Sequence, residues 1–306
     1  MKKPGSILLL TAVLLSYILV SQSAAAEGLT RIADGVYSYV DEKNPVPARS
    51  FGANAGIIIG KEGIVVVDTM ISSKEAERFI SDIRAVSDKP IRYVVNTHEH
   101  LDHSLGNADF IKVGSVVVSH INCKKNAEAA ASTILQKAKI YGLTDEMLQG
   151  TRVAVASLTF NDKMEIDLGD RKVELIYAGP SHTDGSIVVY VPDTKTLFAG
   201  DILFTNFHPN MRDADVKSWI SVLDYISTMD AISIIPGHGP ISTKKGVQEM
   251  KQYLMTFEKI GRELSANGKD ANYIAAEILR TVPKRQFFEM FVAGNVAAKY
   301  PQPPKQ

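Results

Sequence analysis

One cysteine, Cys123, is all that the 306 residues contain, so no disulfide can form within the chain. Its stability has to come from a packed core, with bound metal as the other source. Charge of one sign is lacking as well, because 34 Lys and Arg stand against 34 Asp and Glu. Without a basic surplus, neither nucleic acid nor an anionic membrane surface is expected as a partner. Long apolar runs are absent after the first residues. There, Lys2 and Lys3 precede an apolar stretch from Ile7 to Val20, and Ala24-Ala25-Ala26 offers small residues for cleavage before Glu27. That stretch is too short and too abruptly ended for a membrane span. Residues 1–26 therefore read as a signal peptide, which implies a periplasmic or secreted protein with no stable span after cleavage. No cysteine stands at the cleavage point, which argues against a lipid anchor.

The remainder is long enough for one large layered domain with a helical appendage. Strand-like runs alternate with helical patterns from Val36 to His238, among them Ala55 to Ile59, Ile64 to Asp68, Tyr93 to Asn96, Val116 to Ser119, Lys172 to Tyr177, Thr196 to Ala199 and Ile232 to Ile235. Several are apolar throughout, as expected of strands buried on both faces. Helices are expected over Lys74 to Val86, opened by a Ser72/Glu75 capping box, over Asn122 to Lys139, and over Asp215 to Thr228. The fold class is α/β, with sheets covered by helices. A weak internal symmetry pairs Val65-Val66-Val67-Asp68, a helix and a strand leading to His98 with Leu197-Phe198-Ala199, Asp201, a helix and a strand leading to His238. After Pro240 the texture is helical. Val247, Met250, Tyr253, Leu254, Phe257, Ile260 and Leu264 form one apolar face, and a second helix over about Ala271 to Arg280 and the apolar run Phe287 to Val292 follow.

The chemistry concentrates in Thr97-His98-Glu99-His100-Leu101-Asp102-His103, which follows an apolar strand. Three histidines and a carboxylate on one turn would repel one another or demand solvation once protonated, so a metal site is the economical reading. His98 and His100 suit one borderline ion; Asp102 and His103 suit a second nearby. His182, Asp201 and His238 complete the set, each in a turn supplied with glycine or proline: Gly179-Pro180-Ser181-His182, Ala199-Gly200-Asp201 and Pro236-Gly237-His238-Gly239-Pro240.

The ordered pattern His-x-His-x-Asp-His, His, Asp, His resembles that of the metallo-β-lactamase superfamily over about Val36 to Pro240. The resemblance implies a four-layer αββα sandwich with a metal site at one edge, a catalytic domain over 27–242 and a C-terminal helical extension over 243–306. It implies that His98, His100 and His182 bind one metal, that Asp102, His103 and His238 bind the other, and that Asp201 bridges them. Asp68 corresponds to an aspartate that supports the ligand loop. Departures narrow the choice. In the cysteine-containing β-lactamases a Cys takes the place of Asp201 and an Arg commonly that of His103, and the superfamily's di-iron flavoproteins carry a glutamate where this chain has His100. What remains is the group of dinuclear hydrolases that includes glyoxalase II and lactonases, although the tail lacks an evident glutathione-binding segment.

That ligand set carries a mechanism. Two bridged cations would lower the pKa of bound water from about 15.7 to near 7 and so supply a hydroxide able to attack the substrate. Asp201, holding both ions, and Asp102, placed to orient the nucleophile, are the catalytic candidates. The expected cofactor is a pair of zinc ions, with iron or manganese as other ions these donors suit, and the expected partner is a small molecule with an ester, thioester, lactone or related bond. Two alternatives are β-lactam hydrolysis and a di-iron redox or oxygen-handling protein. Among other residues, His208 and His120 read as exposed loop histidines, Cys123 lies near Lys124 and Lys125, which could lower its pKa, yet as a lone cysteine starting a helix it reads as inert, and Trp219 reads as core.

Overall fold

The computed structural model describes residues 28–40 and 45–301; the segment read as a signal peptide lies outside the described residues. A first sheet runs in spatial order β1 (Leu29–Ala33), β2 (Val36–Tyr39), β3 (Gly56–Gly60), β4 (Gly63–Val67), β5 (Ile91–Val95), β6 (Val116–His120) and β7 (Leu158–Phe160). It is antiparallel up to β4 and parallel from β4 to β7. A second sheet is ordered β12 (Ser233–His238), β11 (Thr196–Phe204), β10 (Val188–Val191), β9 (Lys172–Ile176) and β8 (Lys163–Asp167), with β11 and β12 parallel.

The apolar runs are continuous because successive side chains enter different cores. Ile58, Val65, Val67, Val95 and Phe198 point between the sheets, where they meet Leu175, Val189 and Ile235. Their neighbours Ile57, Ile64, Val66 and Val94 face outward under α1 (Ser73–Val86) and α3 (Asn107–Lys112), against Phe79, Ile83 and Phe110. On the far side, Leu197, Ala199 and Ile234 lie under α6 (Val216–Thr228) and α7 (Lys244–Ala266), against Trp219, Val222, Met250 and Phe257. The result is the four-layer αββα sandwich. Trp219 is fully buried, and its indole Nε1 donates to the Ile202 carbonyl at 2.9 Å. That bond pins α6 to the strand carrying Asp201.

Both halves of the sequence symmetry fold as strand, helix and parallel strand: β4-α1-β5 and β11-α6-β12. Asp215 caps α6 by accepting from the Ser218 amide, and Ser72 caps α1 by accepting from Glu75. The reciprocal half of the α1 capping box is missing, because the Glu75 carboxylate pairs with Arg78 at 2.7 Å instead. The helix expected over Asn122 to Lys139 is two, α4 (Ile121–Ala130) and α5 (Ile134–Ile140). Ser132 and Thr133 interrupt it; the Thr133 hydroxyl donates to the Ala130 carbonyl, the local bond by which such residues compete with helix. Strands β1, β7 and β8 were not anticipated. All three are short, and β1 and β8 carry charged side chains on exposed faces. The helical extension continues from α7 through α8 (Ala271–Thr281) to α9 (Phe291–Lys299).

Candidate metal centre

The first ligands arise where β5 ends and the chain turns through 96–100 into α2 (Leu101–Ser104). The Ser104 hydroxyl donates back to the His100 carbonyl at 2.9 Å and closes that turn. It leaves His98 and His100 on the loop and Asp102 and His103 on the single helical turn. From the second sheet, Asp201 lies within β11, whose register against β12 is irregular on both sides of Gly200. The irregularity turns the carboxylate toward the sheet edge. Gly237 is required beside it, since a Cβ there would fall 1.9 Å from Asp201 Oδ1. Gly200 has φ +49° and would carry a Cβ 2.6 Å from the Thr97 hydroxyl.

These turns gather all seven residues. One ligand atom from each of His98, His100, His182 and Asp201 lies within 4.8 Å of the others, and Asp102, His103 and His238 form a second such group. Asp201 faces both. Its Oδ2 is 3.7 Å from His98 Nε2 and 3.2 Å from His182 Nε2, while its Oδ1 is 3.2 Å from His103 Nε2 and 3.5 Å from His238 Nε2. Asp102 Oδ2 lies 3.3 Å from His238 Nε2.

The outer ring nitrogens fix which nitrogen faces inward. Asp68 is the central anchor. Its carboxylate accepts from the Thr97 amide and hydroxyl, both at 2.8 Å, and from His103 Nδ1 at 2.9 Å. The Thr97 hydroxyl, its proton committed to Asp68, accepts from His98 Nδ1 at 3.1 Å. His103 and His98 therefore present Nε2. His100 is held the other way round: its Nε2 donates to Asp213 at 3.1 Å, and its Nδ1 sits 2.9 Å from His182 Nε2. Asp68 adopts φ +61°, a conformation aspartate tolerates better than most residues.

Charge balance marks the centre as a cation site. Burial drives His182 down to about 3 and His98 well below the usual imidazole range, so both rings are neutral and their lone pairs are free. Burial would raise Asp201, but the charges of His238 and His103 around it outweigh that and hold it well below the usual carboxylate range. His98 Nε2, His103 Nε2 and Asp201 Oδ1 are buried in the middle without a hydrogen bond. Nitrogen and carboxylate donors that converge with no partners of their own fit divalent ions of borderline softness.

Other expectations need correction. His208 is buried, with Nδ1 3.0 Å from the Tyr253 hydroxyl, because the helical extension covers its loop. His120 is also buried; it stacks on Tyr177 at 3.9 Å and caps α4 by accepting from the Asn122 amide. Cys123, by contrast, is inert as expected: it is buried beneath the 185 loop, and burial followed by the Glu99 charge pushes its thiol well up. Three residues at the site were not singled out in the sequence, although Glu99 lies in the histidine-rich turn and Phe288 in the apolar run of the extension. Asp213 orients His100. Glu99 ties the ligand loop to Asn126 and Thr183, at 2.9 and 3.1 Å. Phe288 meets the His238 ring edge to face at 5.8 Å, having reached it from the extension. On its other sides Phe288 packs against Phe207 and Phe291, both at 5.1 Å, and its backbone takes φ +65°, uncommon for a bulky residue.

Among known proteins, a 2,4-dinitroanisole O-demethylase α subunit from a Nocardioides species is 25% identical over 240 residues, covering 72% of this chain and 68% of that protein. A linear primary-alkylsulfatase from a Pseudomonas species is 24% identical over 228 residues, 63% of this chain but 43% of that one. A type 2 metallo-β-lactamase of Bacteroides fragilis is 22% identical, covering 75% of this chain and 86% of the relative. In fold, a metallo-β-lactamase from Pontibacter korlensis superposes with TM-score 0.62 over 74% of this chain and 98% of its own, at 22% identity. A stereoselective inverting sec-alkylsulfatase from Pseudomonas gives 0.68 over 90% of this chain and 50% of its own, at 18% identity. The chain thus spans about half the length of the alkylsulfatases it matches. The family description "Metallo-beta-lactamase superfamily" matches residues 48–238, a stretch that contains every one of the seven converging side chains, and the chain accordingly belongs to that superfamily.

Proposed function

We propose that the chain is an exported hydrolase that works with two zinc ions and cleaves an ester, thioester, lactone or related bond in a small molecule. The observation that carries this reading is the division of the Asp201 oxygens, one toward each group of ligands. A residue placed so would hold two ions together. His98, His100 and His182 would hold the first ion, and Asp102, His103 and His238 the second. When bound, such a pair supplies Lewis acidity and lowers the pKa of water at neutral pH.

The chain's own groups do the rest. Asp102, whose side chain is 14% exposed against 5% for Asp201, is the carboxylate open to an incoming water and can accept a hydrogen bond from it at Oδ2. His100, also partly open, marks the side from which substrate arrives. Phe288, half-buried beside His238, gives the second group of donors an apolar flank. An apolar flank suits substrates with an alkyl or aryl group next to the scissile bond. The relatives named for alkyl sulfates and an aryl ether support including those bonds among the tests.

The test is elemental analysis of the purified protein together with turnover on a β-lactam, a lactone, a thioester, a phosphodiester, an alkyl sulfate ester and an aryl methyl ether. Two zinc ions per chain and hydrolysis of an acyl substrate are expected. Rapid β-lactam cleavage with no acyl turnover, or redox-active iron in place of zinc, would replace this reading. Export is tested separately by the N-terminal sequence of the periplasmic protein, expected to begin at Glu27.

A further inference from the structure

His100 is the least enclosed of the histidines in the centre. Its side chain is 25% exposed, whereas His98 and His103 are fully covered. What holds it is Asp213, itself half-exposed, on an irregular loop between β11 and α6. A lone surface carboxylate on such a loop would be a poor anchor, so the position of Asp213 must be set by something else. The C-terminal extension grips the loop along its length. Arg285 donates to the carbonyls of Phe204 and Phe207, at 2.9 and 2.6 Å. Asn295, buried on α9, donates to the Pro209 carbonyl and accepts from the Met211 amide, both at 2.8 Å. Lys299 donates to the carbonyls of Arg212 and Ala214, the two neighbours of Asp213.

We propose that the C-terminal extension is a positioning element of the metal centre. Through Asn295 and Lys299 it sets Asp213 against His100 Nε2, keeps the His100 proton on that atom and leaves Nδ1 as the ligand of the first ion. The inference rests on the two-ion reading of the site. Asp213, Asn295 and Lys299 touch no reacting atom; they act through His100.

The experiment is competitive titration of the full-length protein with a chromophoric zinc chelator, which resolves the two dissociation constants and needs no substrate. Asp213→Ala should weaken the first ion by about 10- to 100-fold and leave the second unchanged. Asp213→Asn, which keeps an acceptor oxygen, should recover part of the loss. Lys299→Met should weaken the same ion by less. The double variant Asp213→Ala/Lys299→Met should be no worse than Asp213→Ala alone, because both act along one route. If Asn295→Ala fails to fold, Lys299→Met carries the test. An unchanged first constant in Asp213→Ala, or additive losses in the double variant, would overturn the inference. An unmodified protein that binds fewer than two ions refutes the reading of the site itself, and the two failures are therefore distinct.

Discussion

His103 and His100 each donate a ring N–H to an aspartate, yet those aspartates stand in different surroundings. Asp68 ends a core strand, is almost wholly buried, and accepts two further bonds from Thr97. Asp213 stands on a loop, more than half exposed, and is placed by residues from the far end of the chain. One ligand group is therefore built into the sandwich, while one arm of the other depends on an appended element. The comparison teaches that similar ligand chemistry can rest on supports of different rigidity: support from the core serves fold and site together, and support from a loop serves the site alone.

Removing the residue common to both groups should have the largest effect. Asp201→Ala is expected to lose both ions and to drop turnover to background together, read by elemental analysis beside a rate assay; full turnover with one ion retained would separate the groups and refute the bridge. Next comes the core anchor. Asp68→Ala strands His103 and the Thr97 donors in a dry interior, so unfolding in denaturant should reveal a loss of about 3–5 kcal/mol. The matching Asp213→Ala change should cost no more than about 1 kcal/mol, as for an exposed pair. Equal losses would erase the contrast between the two supports.

Phe288→Ala tests the apolar wall. kcat/KM for an ester with a long alkyl chain should fall about 5- to 150-fold, equivalent to about 1–3 kcal/mol, while an acetate ester changes little. A uniform fall would assign Phe288 to holding His238 and not to the substrate. The smallest effect concerns pH. Burial, with Arg285 adding to it, lowers His208 to about 4. The unfolded chain binds that proton near pH 6.5. The stability due to neutral His208 is thus complete above pH 6.5 and is lost as pH falls toward 4. His208→Gln should flatten the decline of stability across that window, and an unaltered slope would mean that His208 is not held neutral.

The seven converging residues were legible because each belongs to a local pattern: a dense turn after an apolar strand, or a carboxylate or imidazole beside glycine and proline. The layers were legible for a related reason, since the run Ile64 to Val67 can be apolar throughout only if both faces are covered. Long-range placement was not legible. Asp213 meets His100 across 113 positions, and nothing around Arg212-Asp213-Ala214 marks it. His208 was misjudged for the same reason: it stands in a loop, but the helical extension covers that loop and Tyr253 meets its ring. The break between α4 and α5 turned on two hydroxyl residues inside an otherwise helical composition.

The central claim is a pair of ions held by one bridging aspartate, and stepwise removal of metal tests it most directly. Zinc content and turnover are to be followed together as a chelator strips the purified protein. Two ions per chain are expected at the start, with activity lost as the pair is broken and restored when zinc is returned. A preparation holding one ion at full activity, or hydrolysing its substrate unchanged after both are gone, would contradict the account.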